Sequence, residues 1–137
     1  MTNNTLTPEL FRVCDANINR LKEGIRVVED LMRYYYNNKE IALQLKKLRH
    51  EASIAELSQL LLHRDSINDV LRSTIKSELN RSTLYDIITA NFKRAEESSR
   101  VLEEIFKLSN TSYSEKFKYI RYELYNIEKT TFFLINK

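Results

Sequence analysis

The 137 residues include one glycine, Gly24, and one proline, Pro8. These two residue types are the ones that most often end helices and strands and form turns. A β-sheet domain of this length needs several tight turns, and such turns depend on glycine, proline and asparagine. Long helices with short connections need few of these residues. Hydrophobic residues make up 42% and charged residues 30%, which permits a packed core beneath a charged surface. The sequence therefore predicts a single all-α domain over residues 1–137.

Apolar residues recur with helical spacing in four stretches, which predicts four main helices. The first is expected over residues 7–36 and the second over 38–62, with the third beginning near residue 84 and the fourth near 112. The polar residues 63–83 are expected to form a long connection with one short helix. Long connections in compact domains are often functional.

An internal repeat relates the first predicted helix to the third. Residues 16–30 and 90–104 share the pattern A-N-x-x-R-x-x-E-x-x-R-V-[VL]-E-[DE] at a constant offset of 74. A weaker similarity relates residues 48–51 to 120–123. Amphipathic helices repeat apolar positions, but they do not repeat asparagine, arginine and glutamate in register. The chain is therefore predicted to be a bundle of two pseudo-symmetric helical hairpins, over residues 10–62 and 84–136.

The repeated polar residues share one side of the helix. Asn17, Arg20 and Gly24 follow a spacing of three and seven residues, so they lie on one stripe beside the apolar one. The second repeat carries Asn91 and Arg94 at the matching positions. These groups are expected at a helix–helix seam, either as a structural polar network or as a ligand-binding site. Neither role excludes the other.

A second stripe on the first helix contains Glu23, Arg26, Asp30 and Arg33. Its members face further outward. The stripe is either part of a binding surface or a solvated face with weak ion pairs between residues three and four apart.

The connection carries three acids, Asp65, Asp69 and Glu78, that are candidates for magnesium. Mg²⁺ prefers hard oxygen ligands and commonly uses one or two carboxylates together with phosphate. Aspartate is also an ordinary helix-capping residue, and spacing alone favours that role. Gly24 is the one glycine, so a glycine-rich phosphate loop is excluded. A phosphate ligand would have to be held by arginine, lysine or helix N-termini.

Several of these segments together resemble one known family. The matching stretches are residues 12–33, 48–50, 64–70, 77–81 and 90–104, which occur in order and with matching spacing. They look like the all-helical, alternative hydroxymethylpyrimidine phosphate kinase of thiamine biosynthesis, a domain that is also found fused ahead of thiamine-phosphate synthase. This chain departs from the family pattern at Leu71, where a glycine is expected.

The resemblance implies an enzyme, a phosphotransferase that uses ATP and Mg²⁺. It would convert 4-amino-5-hydroxymethyl-2-methylpyrimidine phosphate to the diphosphate, which requires phosphate oxygens to be neutralised and held in line. The expected catalytic residues are Arg20, Arg94, Arg64 and Arg81. The expected substrate-binding residues are Asn17, Asn91, Glu23, Glu97, Arg26, Arg100 and Arg49, and the expected metal ligands are Asp65, Asp69 and Glu78.

The alternative is a non-catalytic helical module that binds thiamine-phosphate synthase or its pyrimidine substrate. Besides the pyrimidine phosphate and ATP, the candidate partners are therefore thiamine-phosphate synthase and a second copy of the chain. Nucleic acid and membrane are not expected as partners, because the formal charge is only +3 and no apolar run reaches about 20 residues. The lone Cys14 and the absence of a signal peptide predict a cytoplasmic protein.

Overall fold

The computed structural model describes residues 5–136, with the side chains of Ser77 and Glu78 left aside. Five α-helices and no strand occur in this part of the chain, which confirms the all-α prediction. The helices are α1 (Pro8–Asp30), α2 (Lys39–Glu51), α3 (Leu57–His63), α4 (Leu84–Phe106) and α5 (Thr111–Ile135). A π-helical turn, Leu31–Tyr35, extends α1, and a 3₁₀ turn, Lys76–Leu79, lies in the connection. None of the described helices is both long and apolar enough to cross a membrane.

The second predicted helix is divided into α2 and α3, so the expectation of one helix to residue 62 was wrong. Residues 52–56 form the break. Side chains of α5 form hydrogen bonds with backbone groups of the break. The Lys116 ammonium donates to the Ser53 carbonyl oxygen at 2.5 Å. The Ala55 amide donates to the Tyr113 hydroxyl oxygen at 3.1 Å. The break contains neither glycine nor proline, and side chains about 60 residues away stabilise it.

The two repeat helices, α1 and α4, pack directly against each other at the centre of the bundle. Gly24 marks the close approach. A Cβ atom there would lie 2.9 Å from the Asn91 carbonyl oxygen and 3.4 Å from the Ala95 Cβ. The 2.9 Å distance to a backbone oxygen is too short for a Cβ, so glycine lets the two helices come this close. The structure thus confirms that Gly24 lies at a seam between the repeats.

Equivalent ion pairs join the two helices of each hairpin. In the first hairpin, Arg49 on α2 contacts the buried Glu29 on α1 through Nε–Oε1 at 2.7 Å and Nη2–Oε2 at 3.2 Å. In the second, Arg121 Nη2 on α5 donates to Oε1 of the buried Glu103 on α4 at 2.7 Å. The two glutamates are 74 residues apart, the offset of the repeat. Glu29 and Glu103 therefore have the same structural role, which is to join the two helices of a hairpin. The superposition of residues 10–62 on residues 84–136 stays a prediction.

Candidate functional site

A polar cleft of about 910 Å³ lies where the N-terminal half of α1 meets the start of the connection and one side chain of α4. Its charged lining residues are Glu9, Arg12, Asp15, Arg20, Glu23, Arg64, Asp65, Asp69 and Arg94. Three of the four predicted catalytic arginines, Arg20, Arg64 and Arg94, are therefore brought to one cleft.

The break between α2 and α3 places the connection at this cleft. α3 packs on α1, with Leu60 buried and the rings of His63 and Phe11 stacked at 6.0 Å. The chain consequently leaves α3 beside the first turns of α1. Arg64 and Asp65 follow immediately and reach the cleft.

Arg64 forms the best-defined charged contact in the cleft. Its Nε and Nη2 atoms each donate to Asp15 at 2.7 Å, one to each carboxylate oxygen. This pairing raises the pKa of the Arg64 guanidinium above its ordinary value. Asp15 is 6% exposed and also accepts a hydrogen bond from the Asn19 amide at 3.2 Å. Two-point contacts of this kind fix the plane of an arginine.

The loop acids have contacts typical of turn residues. The Asp65 carboxylate accepts from the backbone N–H of Asn68 at 3.2 Å and from its side-chain amide at 2.8 Å, which lowers the pKa of Asp65. Asp69 accepts from the backbone N–H of Leu71 at 2.9 Å. The helix-capping role weighed from the sequence is not observed, because no helix begins at residues 65–70; both acids instead accept hydrogen bonds from backbone N–H groups two or three residues ahead, as in turns.

Magnesium ligation remains a prediction for these acids. Among the side chains that the structure describes, no group of three or more His, Cys, Asp or Glu residues is placed to hold a metal. The third predicted ligand, Glu78, has its side chain outside the described part. Asp65 and Asp69 share the cleft with arginines. This arrangement fits a metal held mainly by phosphate oxygens with one or two carboxylates.

The two repeated asparagines make the same local contact in each repeat. Asn17 donates its amide to the Val13 carbonyl oxygen at 2.9 Å, and Asn91 donates to the Ile87 carbonyl oxygen at 2.8 Å. Asn17 is buried and lines the cleft, whereas Asn91 is not among the lining residues. The structure therefore gives both residues a helix-internal bond and brings one of them to the cleft.

Other predicted site residues lie outside the cleft. Arg26 pairs with Asp30 at 3.3 Å and Arg100 with Glu104 at 3.0 Å, both on exposed helix faces. The Arg26–Asp30 pair matches the ion-paired interpretation of the second stripe, whereas Glu23 of the same stripe lines the cleft. Arg81 donates to the carbonyl oxygen of its neighbour in the connection. Among the predicted site residues whose side chains the structure describes, those absent from the lining are Asn91, Arg81, Glu97, Arg26, Arg100 and Arg49.

Three residues of α1, Arg12, Asp15 and Asn19, line the cleft although no role was predicted for them. A sequence signal existed, because these residues and Glu23 follow one another at intervals of three and four, which is one face of a helix. The missing information was what packs on that face. Only the placement of residues 64–69 shows that the face is the wall of a cleft.

The backbone at Leu71 has an ordinary conformation. Among the described residues other than glycine, only Asn37 has a positive φ, of 53°. Leu71 is therefore not held in a conformation that demands glycine, and its side chain is exposed.

The chain is similar to known proteins over most of its length. The model of the ThiD2 family matches residues 12–130. A thiamine-phosphate synthase from Nostoc punctiforme is 36% identical over 120 residues, covering 87% of this chain and 34% of the relative. A Synechocystis protein of the same name is 37% identical over 120 residues, covering 87% and 35%. A Prochlorococcus marinus protein of that name is 33% identical over 129 residues, covering 91% and 37%.

The chain thus spans about a third of the length of these curated relatives. No solved structure matches it. The family match runs from Arg12 in α1 to Thr130 in α5 and includes every charged residue of the cleft except Glu9. The names of the relatives link this kind of domain to thiamine biosynthesis. By the extent of the family match, the chain belongs to the ThiD2 family.

Proposed function

We propose that the chain phosphorylates 4-amino-5-hydroxymethyl-2-methylpyrimidine phosphate to the diphosphate, with ATP as the phosphoryl donor. The observation that carries the proposal is the gathering of arginines from α1, the connection and α4 at one cleft. Membership of a family whose relatives are named for thiamine synthesis supports the pathway. The cleft is about 910 Å³, at the upper end of the usual range for small-molecule sites and roomy enough for a nucleotide beside a small ring.

The charges of the cleft suit a ligand that carries both phosphate and metal. Four arginines and five carboxylates line it, and one arginine and one carboxylate are paired as Arg64 and Asp15. The remaining acids outnumber the remaining arginines, so the protein alone does not neutralise several phosphate groups. Asp65 and Asp69 would hold Mg²⁺ together with the nucleotide phosphates, and the ion would supply the additional positive charge.

The reaction requires little acid–base chemistry from the protein. A terminal oxygen of the pyrimidine phosphate attacks the γ-phosphorus of ATP, a P–O–P linkage forms, and the bond to the β-phosphate oxygen breaks to release ADP. Arg20 and Arg94 enter the cleft from different helices, so they are suited to hold phosphates from two sides. Arg64, fixed by Asp15, provides a third cation at a defined orientation. Asn17, Asp65 and Asp69 line the same cleft and are the candidates for pyrimidine and metal contacts.

The second candidate function is a binding module without catalysis. It is favoured by one observation: curated relatives about three times as long as the matched segment carry the name thiamine-phosphate synthase. In that case the cleft would bind the pyrimidine phosphate or a synthase partner and would not turn over ATP.

A direct assay separates the two. Purified protein is incubated with ATP, Mg²⁺ and the pyrimidine phosphate, and ADP release is compared with diphosphate formation by ³¹P NMR. We expect equal amounts of both products and loss of both with EDTA. Binding of the pyrimidine phosphate by calorimetry without ADP release would instead favour the binding module. Absence of both would contradict the proposed function.

Variants of the cleft arginines locate the activity. Arg20→Ala and Arg94→Ala should each lower kcat/KM by about tenfold or more, because a charge-assisted contact to phosphate is worth roughly 1.5–3 kcal/mol. Arg33→Ala is the matched control, since Arg33 is exposed beyond the far end of α1 and lies over the Tyr34 ring. Equal losses in all three variants would place the site elsewhere.

A further inference from the structure

The carboxylate of Asp15 is buried at the wall of the cleft and holds Arg64, a residue 49 positions away in the chain. We propose that Asp15 is a positioning residue, which orients Arg64 toward the phosphates and fixes residues 64–69 over the cleft. This inference rests on the proposed function for its catalytic part. Its structural part, the fixing of the loop, stands independently.

The geometry of the pair leaves Arg64 available to a ligand. Asp15 occupies the Nε and Nη2 edge of the guanidinium, and arginine has further N–H groups on Nη1. The side chain of Arg64 is 42% exposed, whereas that of Asp15 is 8% exposed. The acid is thus the fixed, buried half of the pair. Arg64 itself lines the cleft.

Polar contacts, and not apolar packing, attach the loop to α1. Arg12 donates to the Asp65 carbonyl oxygen at 3.1 Å, and the Asp65 carboxylate in turn accepts two bonds from Asn68. The apolar side chains nearby contribute little, since Ile67 is 77% and Val70 is 94% exposed. A segment with so little buried apolar surface depends on its few polar anchors. The Asp15–Arg64 contact is the strongest of these anchors, because it has two short charged hydrogen bonds.

The chain contains a matched control for this pair. Glu29 and Arg49 also form a two-point contact between a buried acid of α1 and an arginine downstream, and Glu29 is 2% exposed. That pair lies outside the cleft lining. Asp15→Asn and Glu29→Gln therefore remove the same kind of charge from the same helix. They differ in whether the arginine that is released belongs to the cleft.

The experiment compares these two variants in the full chain. Hydrogen–deuterium exchange of the peptide covering residues 64–71 is measured first, without ligand. We expect exchange there to become about tenfold faster in Asp15→Asn and to stay unchanged in Glu29→Gln. In the assay with ATP, Mg²⁺ and the pyrimidine phosphate, Asp15→Asn should raise KM and lower kcat/KM by about tenfold, while Glu29→Gln, at equal folded concentration, retains both.

A double variant tests whether Asp15 acts through Arg64. Adding Asp15→Asn to Arg64→Ala should cause no further loss of kcat/KM, because the arginine it positions is already absent. If Asp15→Asn fails to fold, Arg64→Lys replaces it, since lysine keeps the charge but cannot form the two-point contact.

The outcomes are distinct. Unchanged exchange of residues 64–71 in Asp15→Asn overturns the proposal whatever the activity. Faster exchange with kinetic constants equal to those of Glu29→Gln overturns the catalytic part. If the unmodified chain releases no ADP, the proposed function fails, and faster loop exchange in Asp15→Asn still supports the positioning of residues 64–69.

Discussion

Gly24→Ala tests the close approach of α1 and α4 on which the cleft depends. Alanine has a higher helix propensity than glycine, by about 0.8–1 kcal/mol in a helix interior. The new Cβ would lie 2.9 Å from the Asn91 carbonyl oxygen and 3.4 Å from the Ala95 Cβ. The tighter contact is with backbone, which cannot rotate away, so the two helices must separate by a few tenths of an ångström.

The net effect is the difference between these opposing terms. Inserting a methyl group into a well-packed seam costs about 1–3 kcal/mol. A gap of about 0.5 Å between the helices also loses roughly a quarter of the dispersion energy of each contact along the seam. The clash therefore outweighs the gain in propensity. We expect the free energy of unfolding to fall by up to about 2 kcal/mol, and Tm to fall by up to roughly 8 °C. Because Arg20 and Arg94 enter the cleft from the separated helices, KM should also rise.

The measurement is urea denaturation followed by circular dichroism, together with the kinase assay. Ser98→Ala is the control, because Ser98 occupies the equivalent position of the second repeat, is buried and already carries a Cβ. Its hydroxyl donates only to the Arg94 carbonyl oxygen in the preceding turn, at 2.7 Å, so we expect a change within about 0.5–1 kcal/mol. An increase in stability of about 1 kcal/mol for Gly24→Ala, the propensity value alone, would refute the close approach.

Two further perturbations concern α5 and its contacts. Burial and the neighbouring Glu128 raise the pKa of Glu96 to about 8, and Lys93 offsets this only in part. The protonated carboxyl therefore contributes its full stability below pH 4.5, the ordinary pKa of glutamate, and this contribution is lost as the pH rises through 8. In the unmodified chain the free energy of unfolding should fall between pH 5 and 8.5 by at most about 1.4 kcal/mol per pH unit, and Glu96→Gln should reduce this fall. Urea titrations at several pH values measure the slope, and an unchanged slope in the variant would exclude the Glu96 carboxyl as its source. Tyr113→Phe removes the acceptor of the Ala55 amide and should destabilise the chain by about 0.5–1.5 kcal/mol, with faster amide exchange at the break between α2 and α3. Faster exchange throughout α2 and α3, with no local excess at the break, would argue against that hydrogen bond as its anchor.

The sequence by itself determined the fold class and much of the central helix pair. Scarcity of glycine and proline excludes a turn-rich sheet, and local periodicity is a property of neighbouring residues, so it can be read along the chain. The stripe shared by Asn17, Arg20 and Gly24 also predicted a helix–helix seam, and the structure places Gly24 against Asn91 and Ala95. These inferences need only spacing within one helix and the comparison of two segments.

Local pattern also located part of the cleft. Asn17 and Arg20 share one stripe of the first helix, Glu23 lies on the second stripe, and all three line the cleft. Position on a stripe could not distinguish Glu23 from Arg26, which lies outside the lining and pairs with Asp30. The position of a residue on a helix gives the direction of its side chain, but it does not give the residues or the solvent that the side chain contacts.

Tertiary structure decided where the connection and the remaining arginines go. The second predicted helix breaks at residues 52–56 because Tyr113 and Lys116 satisfy its exposed backbone groups. That break sends Arg64, at the start of the connection, to Asp15, whereas Arg49, equally basic and on the second predicted helix, meets Glu29. These partners are separated by 20 to 63 residues in the chain. The packing of whole helices decides which of these residues come into contact. The energy of a charged contact depends on distance and burial in three dimensions and not on position in the sequence.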